Sequence, residues 1–196
     1  GAPPANITIS DGATYNYGSL SNGSSVFKVF TLTNTGGVPA TALAEASLAA
    51  PFALTGVVWP GNTGTCTATL NAGATCTVDV TYNPTSLGTQ NGTLGISYYD
   101  QLAAQTSNRA LTGTSVPPAN LTISDGPTYD FGTYATGGSA EKTMTVTNAG
   151  GFTATAVSGA GLVAPFTFKG GSYPGTGGSC GTSLNALRAA DGFREL

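Results

Sequence analysis

The chain has 196 residues, of which only 8% are charged, and its six Lys and Arg against nine Asp and Glu leave a net charge of -3. The basic residues are too few and too scattered to neutralise a phosphate backbone, which argues against a nucleic-acid partner. The chain has no histidine, so it lacks the commonest general base, metal ligand and activator of a Ser or Cys nucleophile, and no catalytic residue, cofactor or metal site is predicted.

Hydrophobic residues make up 40%, enough for a core, while 29 Gly and 11 Pro imply many turns. That mixture suits short strands joined by loops. The most apolar region, 38–59, is broken by Pro39, Glu45 and Pro51, so no membrane span is expected. The sequence opens at Gly1 without a charged leader or apolar run. The expectation is a leader already removed, or a fragment of a longer protein.

In chain order, "PPANITISDGATYNYG" opens at Pro3 and returns as "PPANLTISDGPTYDFG" at Pro117. The 114-residue offset then holds without a gap, with about half of the aligned positions identical. Such a period fits tandem small domains rather than a solenoid. Asp11 and Asp125 fall at equivalent places in "ISDG". Calcium at the junction, with Asp130 as a further carboxylate, is one reading; an Asp-Gly turn is the better one.

"SVFKVFTLTN" alternates, placing Val26, Phe30 and Leu32 on one face and Phe27, Val29, Thr31 and Thr33 on the other. The second copy repeats this with Ala140, Met144 and Val146 opposite Glu141, Thr143, Thr145 and Thr147. Both read as half-buried strands. Lys28 and Lys142 share the inward parity. An isopeptide bond to Asn is the chemical reading; a lysine reaching to water at a strand end is the preferred one.

Trp59 and Tyr173 each precede Pro-Gly. As loop aromatics they are candidate ligand-binding residues for a surface glycan or a protein, or else they lock each loop onto its own sandwich. Cys66 and Cys76 lie equally far from Asn71 in "LNAGA". Strands on either side of that turn bring them together, and a disulfide is preferred over two buried thiols if the protein is exported. Two cysteines without histidine make no closed metal site.

"TCTVDVTY" (75–82) alternates with Val78, Val80 and Tyr82 inward and Asp79 outward, and 92–99 groups Leu94, Ile96 and Tyr98. Seven to nine strands are expected in the first copy, which predicts a two-layer antiparallel sandwich. Asn6, Asn22, Asn91 and Asn120 lie in Asn-x-Thr/Ser sites, incidental in a Thr-rich chain.

The order "LTNTGG", "APF", Cys66 and Cys76 around "LNAGAT", "VTYNPT", "GTQNGTLGI" and "LTGT" resembles the hydin-like (ASH-type) immunoglobulin-like domains, the repeats of choice-of-anchor D bacterial surface proteins. The resemblance covers the first copy and about two thirds of the second. It implies an all-β architecture of tandem immunoglobulin-like sandwiches, exported, acting as spacers or interaction modules without catalytic residues.

The predicted domains are 1–115, complete, and 116–186, lacking its final strands. Cys180 matches Cys66, but the position equivalent to Cys76 is Ala190. This leaves Cys180 free or available for an intermolecular bridge. Residues 187–196 match nothing in the first copy and have helical spacing, with Leu187, Ala189, Ala190, Phe193 and Leu196 on one side. Three readings stay open: a foreign tail, a natural helical cap, or a domain completed by a strand from another chain.

The function expected is a non-enzymatic extracellular structural or adhesin-type module on a bacterial surface: a spacer, stalk or filament subunit that assembles by self-association or by a neighbouring subunit's strand. The alternative is a carbohydrate- or protein-binding module using the loops around Trp59 and Tyr173.

Overall fold

The computed structural model describes residues 1–187, and the predicted C-terminal helix lies almost wholly outside them. The described part is built of strands, with a single 3₁₀ turn at Thr55–Val57. It divides into two compact units, Gly1–Val116 and Pro117–Leu196.

The first unit carries nine strands: β1 (Ile7–Ile9), β2 (Thr14–Ser21), β3 (Val26–Asn34), β4 (Ala40–Glu45), β5 (Phe52–Leu54), β6 (Thr69–Leu70), β7 (Thr75–Tyr82), β8 (Gly88–Tyr99) and β9 (Ala104–Val116). One sheet has the order β1-β3-β7-β5 and the other β2-β9-β8-β4-β6. All pairs are antiparallel except β2 with β9. The expected alternation places the core between the sheets. Phe30, Leu32, Val78, Val80 and Tyr82 of the first sheet are sealed from solvent, as are Leu94, Ile96 and Leu111 of the second.

Aromatic rings fill the middle. Phe52 stacks on Tyr82 at 5.0 Å between centroids, and Tyr17 lies tilted against both. The ring of Phe52 leaves no room for a side chain at position 92, where a Cβ would meet it at 2.5 Å; Gly92 is therefore a packing residue, not a turn residue. The Tyr17 hydroxyl donates to the Val80 carbonyl at 3.0 Å, and burial pushes its phenol well above the ordinary tyrosine range.

Asp79 corrects the alternation rule. Strand parity puts it outward, but it is wholly buried. The loop after β5 reaches the outer face of β7 at Asp79, while Thr77 and Thr81 on that face stay half-buried and Thr75 exposed. Thr63 donates to Asp79 Oδ2 through both its backbone N–H and its hydroxyl, each at 2.5 Å. Gly61, at φ +100°, allows the approach, since a Cβ there would sit 2.7 Å from the Cβ of Asp79.

The second unit has four short strands: β10 (Leu121–Ile123), β11 (Val146–Asn148), β12 (Ala154–Thr155) and β13 (Ser183–Leu184). β10 pairs with β11 and β12 with β13. The register Leu121↔Asn148 and Ile123↔Val146 reproduces Ile7↔Asn34 and Ile9↔Leu32, shifted by the repeat.

The two copies predict unequal responses to one kind of cut. Phe30→Ala is expected to destabilise the first unit by about 3–5 kcal/mol, as for a buried aromatic. Met144→Ala, at the equivalent but exposed position, should cost well under ~1 kcal/mol. Urea denaturation of the two variants checks both.

Candidate functional site

The site is best approached through what the copies share. In the first, the buried Asn34 side chain spends its whole hydrogen-bonding capacity. Its Oδ1 accepts from the N–H groups of Asn6 (3.1 Å) and Gly36 (3.0 Å), and its Nδ2 donates to the carbonyls of Val38 (2.9 Å) and Leu70 (3.0 Å). Asn148 does the same with Asn120, Gly150, Phe152 and Leu184. Sequence reasoning assigned Asn34 no role. The usable signal was "TN-x-GG" at the end of the same strand in both copies.

A second repeated cluster surrounds the inward-parity lysines. Lys28 Nζ donates to Asp11 at 2.8 Å and lies 5.0 Å from the centre of the Tyr15 ring. Lys142 repeats this with Asp125 at 2.7 Å and Tyr129 at 4.8 Å. The preferred reading, a lysine that reaches the rim, matches this geometry. Its ammonium finds a carboxylate there. Asp11 and Asp125 have φ of 71° and 67°, as a turn requires. Asp130 accepts from Gly132 N–H at 2.7 Å, another local turn. Among the described residues no group of three or more potential ligands could hold a metal. The bond to Lys28 holds the Asp11 carboxyl below the usual range and raises the Lys28 ammonium above its own.

Cys66 and Cys76 form a disulfide with Cα atoms 4.8 Å apart. The strands flanking "LNAGA" bring the two cysteines together without pairing with each other: β6 joins the second sheet and β7 the first. The bridge therefore pins the segment leading into β6 against the edge of β7, where Thr65 and Cys66 N–H groups also donate to the Thr77 carbonyl. Cys180 is a free, half-buried thiol.

Trp59 is half-buried and packs against the first unit's core, with its indole N–H enclosed and unpartnered among the described residues. Tyr173 stands edge-on to Phe168 at 5.6 Å between centroids. A side chain at Gly159 would strike both rings. Burial raises the Tyr173 phenol, and the neighbouring Cys180 adds to that. Each ring is turned toward its own unit. An open depression lies at one repeat position in both units, lined by Glu45, Leu48, Phe52 and Val57 in the first and Leu162, Phe166 and Gly171 in the second. In the first, the Glu45 carboxylate accepts from the N–H groups of Ser47 and Leu48 and is spent on its own turn.

The second unit departs from the first in strand content and burial. Residues 140–145 form no strand. Core positions stand open: Ile123 is 62% exposed against 8% for Ile9, Met144 39% against 0% for Phe30, and Phe166 51% against 1% for Phe52. In the first unit the second sheet covers these positions: Tyr15 packs edge-on to Phe30, and β8 brings Gly92 against Phe52. An exposed ion pair joins Lys169 Nζ to Glu141 Oε2 at 2.7 Å.

Residues 10–114 match the family model described as HYDIN/CFA65/VesB-like, Ig-like domain. The chain belongs to this family. Similar solved structures include the ASH/PapD-like domain 7 of human CEP192 (18% identity, TM-score 0.45, covering 59% of this chain and 89% of that one). Another is the VesB protease of Vibrio cholerae (17%, TM-score 0.45, 55% and 31%). A third is the class 5 fimbriae chaperone CfaA (16%, TM-score 0.36, 78% and 71%). No curated protein matches. Among the described residues no helix is long and apolar enough to cross a membrane.

Two measurements probe these features. Trp59→Ala is expected to cost about 2–4 kcal/mol, as for a large ring packed on a core, read by thermal and urea unfolding. For the ion pair, a lowered Asp11 pKa means stability present above the ordinary carboxylate value of about 3.9 and lost as pH falls through the lower folded-state value. The raised Lys28 pKa acts in the opposite window, with stability lost as pH rises beyond about 10.4. Both groups are partly solvated, so the loss at acid pH should be under ~1 kcal/mol. Lys28→Met should flatten stability curves in the acid window.

Proposed function

We propose that the chain is a non-enzymatic extracellular structural module on a bacterial surface, a spacer or stalk segment. The observation that carries this reading is one immunoglobulin-like plan written twice in tandem, its first copy a complete, disulfide-pinned sandwich. The Cys66–Cys76 bridge supports residence in an oxidising compartment. The repeated polar clusters around Lys28 and Asn34, and the Glu45 carboxylate of the first copy, are engaged in holding loops and strand ends, which supports a scaffold rather than a reaction centre.

The alternative, glycan or protein binding through Trp59 and Tyr173, is less favoured because both rings pack inward. A glycan array comparing the protein with Trp59→Ala separates the two. Selective binding that disappears in a variant retaining its fold would favour the binding module.

The surface reading is tested on intact cells of the producing organism with a membrane-impermeant maleimide. Cys180 is expected to be modified at the cell surface after mild reduction. Labelling only after cell lysis would remove the surface assignment.

A further inference from the structure

In the first unit, β7 has β3 along one side for its whole length, but β5 along the other only from Val80 to Tyr82. From Asp79 back to Cys76 that second side meets no strand. The crossover between β5 and β6 takes the place of one. The Pro60 carbonyl accepts from the Asp79 N–H at 3.0 Å, and the Thr65 hydroxyl accepts from the Thr77 N–H at 3.0 Å. The N–H groups of Thr65 and Cys66 donate to the Thr77 carbonyl at 3.0 and 3.2 Å. Thr63 adds its two bonds to the Asp79 carboxylate. Irregular chain thus seals three edge groups of an inner strand.

Packing holds this cover only weakly. Of residues 55–69, Cys66 alone is buried, with Trp59 half-buried against the core. The closed cover also encloses two polar atoms without a partner among the described residues, Trp59 Nε1 and Asp79 Oδ1. Both gain hydrogen bonds to water when the cover lifts, which favours opening. Against opening stands the Cys66–Cys76 bridge, which ties the cover's one buried residue to β7 itself.

We propose that the Cys66–Cys76 bridge is a redox latch on this cover. Closed, it seals the β7 edge at Thr77 and Asp79. Opened by a dithiol, it lets residues 55–66 lift while β7 stays paired with β3. In the covalent step a thiolate of the dithiol attacks one sulfur of the bridge, and the S–S bond breaks. The second thiol of the reagent then displaces the first cysteine and closes a ring. The dithiol gives up two electrons and two protons, and Cys66 and Cys76 leave as thiols. The cover is open wherever thiols are kept reduced and sealed where they are oxidised. The latch stands on the geometry of the first unit alone and does not depend on the surface reading.

The strand contains its own control. Antiparallel pairing sends the Thr77 and Asp79 N–H groups to the cover and those of Val78 and Val80 to β3. Amide hydrogen exchange is read residue by residue by NMR on the whole chain, oxidised and after dithiothreitol. The bridge closes a loop of 10 residues. By the chain-entropy estimate its loss should speed exchange at Thr77 and Asp79 by about 100-fold, with Val78 and Val80 unchanged. Trp59 is the chain's one tryptophan, and its fluorescence should move to longer wavelength in parallel. The double variant Cys66→Ala, Cys76→Ala should give the same pattern without reductant, which decides the matter if the reagent does not reach the buried bridge. Unchanged exchange at Thr77 and Asp79 in that variant, or an unmoved Trp59 emission, would mean that the hydrogen bonds hold the cover without the bridge. An equal rise at Val78 and Val80 would mean that the bridge holds the whole sandwich. Any of these results overturns the proposal.

Discussion

Both copies are organised around one buried carboxamide. Asn34 and Asn148 sit at the ends of β3 and β11, and each ties together four backbone groups from separate stretches of the chain. The two N–H groups come from the opening strand and the Gly-Gly turn; the two carbonyls come from the next connection and the short strand after "TAT" or "GTS". A buried amide with every donor and acceptor engaged specifies one arrangement, since any alternative leaves several groups dry and unpaired. The bonds are local to this corner, and both units form it with the same four-bond pattern.

Much of the fold was legible because a two-residue period, turn clusters and an ungapped internal repeat all point the same way. An expectation of seven to nine strands in the first unit, where nine are found, the inward set Phe30, Leu32, Val78, Val80 and Tyr82, and the linkage of Cys66 to Cys76 followed from those signals. Asp79 was not legible. Parity knows only the strand, and the covering loop is a tertiary fact announced by nothing stronger than Gly61. The disulfide itself followed from the spacing about "LNAGA". The departure of β6 and β7 to different sheets did not, because sheet membership is set by partners distant in the chain. Asn34 was visible as a repeated letter but not as a role, because hydrogen-bond capacity is read from neighbours rather than from spacing.

The candidate clusters were legible only as repeated letters. Comparing two copies of one plan shows which residues recur, and the structure adds what they do. The ion pair measures 2.8 Å at Lys28–Asp11 and 2.7 Å at Lys142–Asp125, each beside a tyrosine ring. The spacing of Lys28 and Asp11 in the sequence announces neither contact, because the turn that brings them together is a tertiary fact.

The one parallel pairing in the first unit has a mechanical meaning. β2 lies near the beginning of the unit and β9 at its end, and they run side by side in the same direction, from Thr14↔Ala110 to Ser21↔Val116. A pull on the chain from outside this unit drags β2 toward its N-terminal end and β9 toward its C-terminal end. The load then falls along the strands and across all of their hydrogen bonds at once, instead of peeling them one by one like a zip. Once the three-residue β1 has given way, the fold is strongest in the direction in which a tethered chain would be stretched.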